Sequence, residues 1–281
     1  MQNLPFSPQY PLWSDGTTKR RWLYLPPGTA VDASQPDAWV FPPGSRLWKE
    51  FSYARPVETR FIERLADGSW RYATYIWNAE GTDAVLAPAG GVAALPVQGA
   101  PGGQYAIPAQ ADCRACHEGG PVPVLGVGAI QLSPDRDPLA PHAERMRPEH
   151  VDLRALVARG LLRNLPPALL DRGPRIVAAT PTARAALGYL HGNCGHCHNG
   201  SGPLAPLELL LAQEAADGAA SAEKAVRSIL GQSGRLALRM QSRNPSNQMP
   251  PLGTRVADAE AMALIEPWIH HDLPNRKEHL Q

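Results

Sequence analysis

The chain has 281 residues, enough for two or three compact units, and 43% of them are hydrophobic. A net charge of +1 and a pI near 7.8 argue against nucleic acid or an anionic membrane surface as an electrostatic partner. No apolar run approaches the roughly 20 residues that a membrane-spanning helix needs, so we predict no transmembrane segment.

Residues 1–105 are typical of β-structure. Four β-rich runs occupy residues 21–25, 48–53, 58–65 and 69–77. The last two flank Asp67-Gly68, and Asp-Gly between β-rich runs predicts a hairpin. Six of the seven Trp and all four Phe precede residue 80, whereas the second half of the chain is rich in Ala, Leu and Arg. This shift predicts two differently built cores, joined by the Gly- and Pro-rich stretch 98–110.

The rest of the chain carries apolar residues at helical spacing. We expect helices over residues 110–117, 148–162, 180–190, 221–230 and 257–271. The third begins at Thr180-Pro181, because proline is tolerated in the first turn of a helix. Pro267 lies inside the last helix and is expected to kink it or end it early.

Two pentapeptides share the pattern C-x-x-C-H, which is the attachment signature of c-type haem. They are Cys113-Arg114-Ala115-Cys116-His117 and Cys194-Gly195-His196-Cys197-His198, and together they use all four cysteines. In such a motif the two sulfurs bond the porphyrin covalently and the histidine binds the iron. The sequence therefore predicts two covalently bound haem c groups, with His117 and His198 as proximal iron ligands.

A zinc site or a redox disulfide is the alternative interpretation of these cysteines. A zinc ribbon has its two cysteine pairs roughly 15–20 residues apart. Here Cys116 and Cys194 are separated by several times that spacing, and a histidine follows each pair directly. These two facts favour haem.

The second haem has a candidate sixth ligand in Met249, which lies in a loop stiffened by Pro250 and Pro251. The order of haem helix, middle helices, Met loop and C-terminal helix is that of a small class I cytochrome c domain, which residues 180–275 resemble. Met240 is the alternative ligand, or else a core residue. Arg235, Arg239 and Arg243 recur every fourth residue, which fits either haem propionates or a solvated helix face.

The sixth ligand of the first haem stays open. His142, Met146 and His150 lie within one stretch at helical spacing, although Pro148 interrupts it. Each is a candidate ligand or a solvated residue. The ligand can also come from the β-rich domain or be absent, and an open iron would change the class of function. His191, which precedes the second motif, and His196, which lies inside it, are interpreted as local surface or hydrogen-bonding residues rather than ligands.

These patterns predict an α+β chain, in which a β-rich domain is followed by an all-α, cytochrome c-like dihaem region. The expected units are residues 1–105, a β-rich domain without haem, residues 106–179, the first haem region, and residues 180–281, the second haem region of class I cytochrome c type.

Four stretches resemble a family of bacterial dihaem c-type cytochromes. They are residues 11–28, 58–84, 124–133 with the preceding motif, and 183–198. The resemblance implies a periplasmic or secreted dihaem protein with an N-terminal non-haem domain, and it identifies no substrate. Trp13 stands where the family has Phe, and Ser133 where it has Asn; neither change affects haem attachment.

The function that we expect is single-electron transfer in the periplasm, with redox proteins as partners and no nucleic acid. The alternatives are a dihaem peroxidase-like enzyme with an open first haem and a redox-linked module that binds a ligand or partner. No catalytic residue is identified. The N-terminal MQNLPFSPQY lacks signal-peptide features, so we expect that a signal was removed, because c-type haem is attached outside the bacterial cytoplasm.

Overall fold

A computed structural model describes residues 3–273 of the chain. The strands are β1 (Leu4–Pro5), β2 (Thr18–Tyr24), β3 (Val31–Asp32), β4 (Arg46–Ser52), β5 (Pro56–Arg64), β6 (Trp70–Trp77), β7 (Ala84–Leu86), β8 (Val92–Pro96), β9 (Gln104–Ile107) and β10 (Leu162–Arg163). The α-helices are α1 (Gln110–His117), α2 (Leu153–Ala158), α3 (Ala168–Asp171), α4 (Pro181–Asn193), α5 (Gly218–Leu230), α6 (Ser233–Gln241) and α7 (Ala259–Pro267). Short 3-10 turns span Pro101–Gly103 and Ala205–Leu207, and a π turn spans Trp268–Asp272.

A six-stranded antiparallel sheet with the order β1-β2-β4-β5-β6-β7 dominates the N-terminal part. The hairpin predicted at Asp67-Gly68 is confirmed, because β5 pairs antiparallel with β6 and the amide of Leu65 donates to the carbonyl of Ser69 at 2.9 Å. Leu23, Leu47 and Ile62 lie opposite one another in register and point into the core on one face of the sheet.

The segment between α1 and α2 covers the core side of this sheet. It contains turns but no helix or strand, and its Val124, Val127, Ala129 and Leu132 are buried in the same hydrophobic cluster as the sheet residues. Further along, β10 pairs in parallel with β3. The residues that follow the first motif are therefore built onto the β-rich part.

The second half of the chain packs helices α4 to α7 into a separate hydrophobic cluster. The N-terminal Tyr10 is part of that cluster and is only 2% exposed. Its ring lies so close to Gly188 in α4 that a Cβ built at Gly188 would be 2.0 Å from the Tyr10 Cε1 atom. Glycine is required at this position for the N-terminal segment to lie on α4.

The predicted α+β class with an all-α, cytochrome c-like dihaem region is wrong. The protein is β-rich, and within residues 3–273 its seven α-helices are short, the longest having 13 residues. Six prolines between residues 118 and 152 remove backbone donors and prevent a helix there. The helix expected over 148–162 is reduced to α2, because Leu162 and Arg163 pair with β3 instead.

The helices expected over 180–190, 221–230 and 257–271 are present with shifted ends, as α4, α5 and α7. Helix α1 has the predicted bounds, and α7 ends at Pro267, as its proline suggested. The three-unit division at residues 105/106 and 179/180 stays a prediction, and its outer ends, residues 1–2 and 274–281, lie outside the described residues. Within residues 3–273 no helix is long and apolar enough to cross a membrane.

Candidate haem sites

The first motif lies on a helix that follows the sheet directly. Helix α1 begins after Ala109, whose amide donates to the Asp112 carboxylate at 2.9 Å. Cys113 and Cys116, three residues apart, share one face of this helix, and His117 ends it. Cys113 packs against the core of the sheet, so the thiol side of α1 is turned towards the β-rich part.

The His117 ring is held in one orientation. Its Nδ1 lies 2.6 Å from the carbonyl oxygen of Pro123, and its ring centroid lies 5.4 Å from that of Tyr72. A carbonyl only accepts, so Nδ1 must donate and Nε2 keeps its lone pair free. Desolvation, together with the positive charges of Lys49 and Arg60, lowers the pKa of His117 from 6.5 to about 4, against the opposing effect of the Pro123 hydrogen bond. A neutral imidazole with a fixed tautomer is what an iron ligand requires.

The second motif follows α4. The Thr180 side chain accepts from the Ala183 amide and Pro181 occupies the first turn, so this helix begins as the sequence predicted. Cys194 ends it as the C-terminal capping residue. The chain then turns tightly, because the His198 amide donates to the carbonyl of Cys194 at 2.8 Å.

A cavity of about 230 Å³, named the second cavity after the motif, adjoins the second motif. It is lined by Cys194, Cys197, His198 and Met249, which are the attachment and axial residues that the sequence predicted. Apolar side chains form much of its remaining wall: Leu204, Leu207, Leu209, Leu211, Leu236 and Met262. A single buried water needs only about 10–15 Å³. The cavity is therefore much larger than a buried water needs, and its wall is mostly apolar, as that of a haem site would be.

His198 is buried, and its Nδ1 has no hydrogen-bond partner among the described residues. Burial lowers its pKa, and the charge of Arg239 adds to this effect. A buried polar atom without a partner is costly, and no hydrogen bond from the described residues fixes the orientation of this ring. The donor set, two thiols and one imidazole at an apolar cavity, fits covalent haem.

The two motifs touch each other. The Asn199 side-chain amide donates to the carbonyl of Gly119 at 3.0 Å, and it also donates to the carbonyls of Gly195 and His196 at 3.1 Å. A Cβ at Gly202 would be 2.1 Å from the Gly119 oxygen, so the two segments are in direct backbone contact. Nothing in the spacing of the motifs indicates this contact.

No protein-family model matches the chain, and no curated protein or solved structure shows significant similarity to it. The family resemblance therefore stays a prediction. All four cysteines are half-buried free thiols. Within residues 3–273, no group of three or more His, Cys, Asp and Glu side chains is arranged to hold a bare metal ion.

Three methionines, rather than two, line the second cavity. Met249 and its alternative Met240 are both present, and the Met249 amide donates to the carbonyl of Arg239 at 2.9 Å. Met262 in α7 is the third, and the sequence did not identify it as a cavity residue. Arg235, Arg239 and Arg243 also line the cavity; the first two are exposed.

The candidate ligands for the first haem have different surroundings. His142 lies at the second cavity: its Nε2 is 2.8 Å from Asp258, a residue of the cavity wall. An iron would have to displace this carboxylate to bind His142. Met146 is half-buried, and the Nδ1 of His150 lies 3.5 Å from the Arg147 amide. All three assignments stay predictions.

The sequence did not indicate several residues that lie at the second cavity. The Tyr189 hydroxyl donates to Asp258 at 3.0 Å, and the Trp13 amide donates to Asn193 at 2.7 Å. Trp13 reaches the cavity from a position 180 residues earlier in the chain. No local pattern marks such a contact. His191 hydrogen-bonds as interpreted, because its Nδ1 accepts from the Gln213 amide at 3.0 Å.

Proposed function

We propose that this protein is a dihaem c-type cytochrome that transfers single electrons between redox partner proteins. The observation that carries the proposal is the contact between the two C-x-x-C-H segments, made by Asn199 and Gly119 at 3.0 Å. Asn199 follows His198 directly, and Gly119 lies two residues after His117. The two candidate iron sites therefore form one cluster, which is the arrangement that electron transfer between two haems needs.

The cysteines and the histidine of each motif have different roles. Cys113 and Cys116 attach the first haem and Cys194 and Cys197 the second, while His117 and His198 bind the irons. When bound, the haems supply one-electron redox chemistry. The Pro123 carbonyl keeps the His117 ring in place and raises its basicity as a ligand.

The side chains that line the second cavity would set the polarity around the second haem. The cavity's leucines make the surroundings less polar, and a low-polarity surrounding favours the less charged, reduced state of a redox centre. Met249 is the proposed sixth ligand there, since a thioether raises the reduction potential. His142, Met146 and His150 are retained as candidates for the first haem. Because c-type haem is attached outside the bacterial cytoplasm, we place the protein in the periplasm or among secreted proteins.

Intact-mass measurement of the denatured, matured protein tests the cofactor assignment. Wild type is expected to carry two covalent haems. Cys113→Ala/Cys116→Ala is expected to retain only the second haem, and Cys194→Ala/Cys197→Ala only the first. A wild-type protein without covalent haem, made in a host that matures a control cytochrome, would overturn the proposal.

Electron paramagnetic resonance separates a carrier from an enzyme. A carrier is expected to show two low-spin irons, because two strong axial ligands hold each iron fixed, both before and after one-electron reduction. A high-spin first haem with peroxide turnover above that of free haem would favour the peroxidase-like alternative. Midpoint potentials that move only when a ligand or partner is added would favour the binding module.

A further inference from the structure

A row of cations crosses the inward face of the sheet. The register places Arg21 opposite Lys49 and Lys49 opposite Arg60. Because strand residues two apart share a face, this row lies next to the buried row of Leu23, Leu47 and Ile62. The positive charges therefore point into the molecule, where a cation without a partner is costly.

The two arginines of this row have carboxylate partners. Arg21 pairs with Glu144 at 2.7 Å, and Arg60 pairs with Glu58 at 2.6 Å. Glu58 is fully buried and also accepts from the Tyr105 hydroxyl at 2.7 Å. Each of these carboxylates already pairs with an arginine, and neither forms an ion pair with a third cation among the described residues.

Lys49 has no such partner. Its Nζ lies 4.8 Å from the centroid of the Phe51 ring, and no carboxylate of residues 3–273 lies within ion-pair distance of it. The neighbouring Lys19, which is opposite Phe51 in the register, donates only to the carbonyl of Thr17, at 3.0 Å. Desolvation and the nearby cations lower the pKa of both lysines, that of Lys19 to about 8.

This row faces the first C-x-x-C-H motif. Helix α1, which carries both cysteines, packs against β6, the strand that pairs with β5. Tyr72, the neighbour of the His117 ring, lies opposite Ile62 in the same sheet. The unpaired lysines and the haem attachment residues therefore lie on the same side of the sheet, where Cys113 packs against the cluster that contains Leu47 and Ile62.

We infer that Lys49, assisted by Lys19, binds the propionate carboxylates of the haem attached at Cys113 and Cys116. The inference rests on the proposed function. Haem brings two carboxylates, which would provide the partners that both lysines lack, and ion pairs with charge-assisted hydrogen bonds are strong at such partly buried positions. It also gives the β-rich part a role: the sheet supplies one wall of a haem site rather than a separate domain core.

The test is a redox titration of the holoprotein with Lys49→Gln. Loss of a nearby positive charge disfavours the reduced state, so the midpoint potential of the first haem is expected to fall. In the dihaem protein this is the lower of the two potentials. The single-haem Cys194→Ala/Cys197→Ala background identifies it directly. We expect about a tenfold change in the reduction equilibrium, which is about 59 mV. Lys49→Arg is expected to restore the wild-type potential. Lys224→Gln, on the exposed face of α5, is the matched control and is expected to change nothing.

Lys19→Gln is expected to lower the same midpoint potential by a smaller amount. If Lys49→Gln fails to fold, the potential of Lys19→Gln tests the inference instead. Unchanged potentials in both variants would overturn the inference. A new high-spin signal in Lys49→Gln would also overturn it, because Lys49 would then be an iron ligand. A shift that appears only with added acetate would assign the lysines to a free carboxylate instead. A wild type without haem defeats the proposed function, and this outcome is visible by mass alone.

Discussion

Two segments of identical pattern have different surroundings in this protein. At the first, the Pro123 carbonyl holds His117, and an aromatic ring and a charged sheet face lie beside it. At the second, His198 has an unpartnered Nδ1 and adjoins an apolar cavity with three methionines. If haem is bound as proposed, the C-x-x-C-H pattern specifies attachment and the proximal ligand, whereas the chain around it sets the electronic environment.

The comparison explains why one protein would carry two haems. A ring nitrogen that donates to a carbonyl makes its imidazole a stronger ligand for oxidised iron, which lowers the potential of the first site. An apolar wall and the proposed thioether ligand would raise the potential of the second. The contact between Asn199 and Gly119 links the two sites. Electrons are therefore expected to move from the first site to the second.

Gly188→Ala is expected to have the largest effect on stability, because Gly188 lies in α4, the helix that leads into the second motif. The new Cβ would lie 2.0 Å from the Tyr10 ring, so Tyr10 must leave the core in which it is 2% exposed. We expect the free energy of unfolding to fall by about 3 kcal/mol or more, measured by chemical denaturation. Gly234→Ala in α6, where a Cβ meets nothing within 4 Å, is the control and is expected to be neutral or slightly stabilising. Equal stability of the two variants would contradict the packing of Tyr10 on α4.

Met249→Ala tests the contrast in potential. If Met249 is the sixth ligand, its loss lowers the higher midpoint potential and abolishes a near-infrared band that arises from sulfur–iron coordination. We expect a change of about a hundredfold in the reduction equilibrium, roughly 120 mV, while the other potential stays unchanged.

The same titration on Met240→Ala and Met262→Ala provides the comparison, because both side chains line the same cavity. Met240 is 6% exposed and Met262 is 7% exposed, so these variants are expected to cost stability but to keep the band. If the band disappears in either of them and persists in Met249→Ala, the ligand assignment is wrong.

Asn199→Ala tests the link between the regions. The buried amide donates to three carbonyls and its oxygen accepts from the amides of Ser201 and Gly202. Truncation leaves these groups unpaired and is expected to cost about 1–3 kcal/mol. Electron transfer between the haems, measured by flash photolysis, is expected to slow. Ser201→Ala, at an exposed neighbouring position, should leave both quantities unchanged.

The sequence predicted what depends on neighbouring residues. The hairpin at Asp67-Gly68, the bounds of α1 and the end of α7 at Pro267 all follow from local signals. Both attachment motifs could be found for the same reason, and Met249 was singled out because prolines follow it.

What the sequence did not predict depends on residues far apart in the chain. Helical spacing over 148–162 was misleading, since Leu162 pairs with β3. The opposition of Arg21 and Lys49 requires the register of β2 and β4, which are joined by a long connection with its own short strand. Trp13 and Asn193, hydrogen-bonded at 2.7 Å, have no local relation at all. The environment of each candidate site is made of such contacts, so only the motifs themselves were predictable.

The smallest effect concerns His191, a half-buried residue of the second region that has no counterpart beside the first. Burial lowers its pKa from 6.5 to about 4, and its Nδ1 accepts from the Gln213 amide. Above pH 6.5 the ring is neutral in both the folded and unfolded states. Between pH 6.5 and 4 only the unfolded state binds the proton, so stability falls as the pH decreases. His191→Gln keeps an acceptor and does not titrate; we expect it to reduce this acid loss by about 1 kcal/mol, measured by denaturation at pH 7 and pH 4.5. His270→Gln at an exposed position should keep the wild-type slope, and an equally steep slope in His191→Gln would show that other groups cause it.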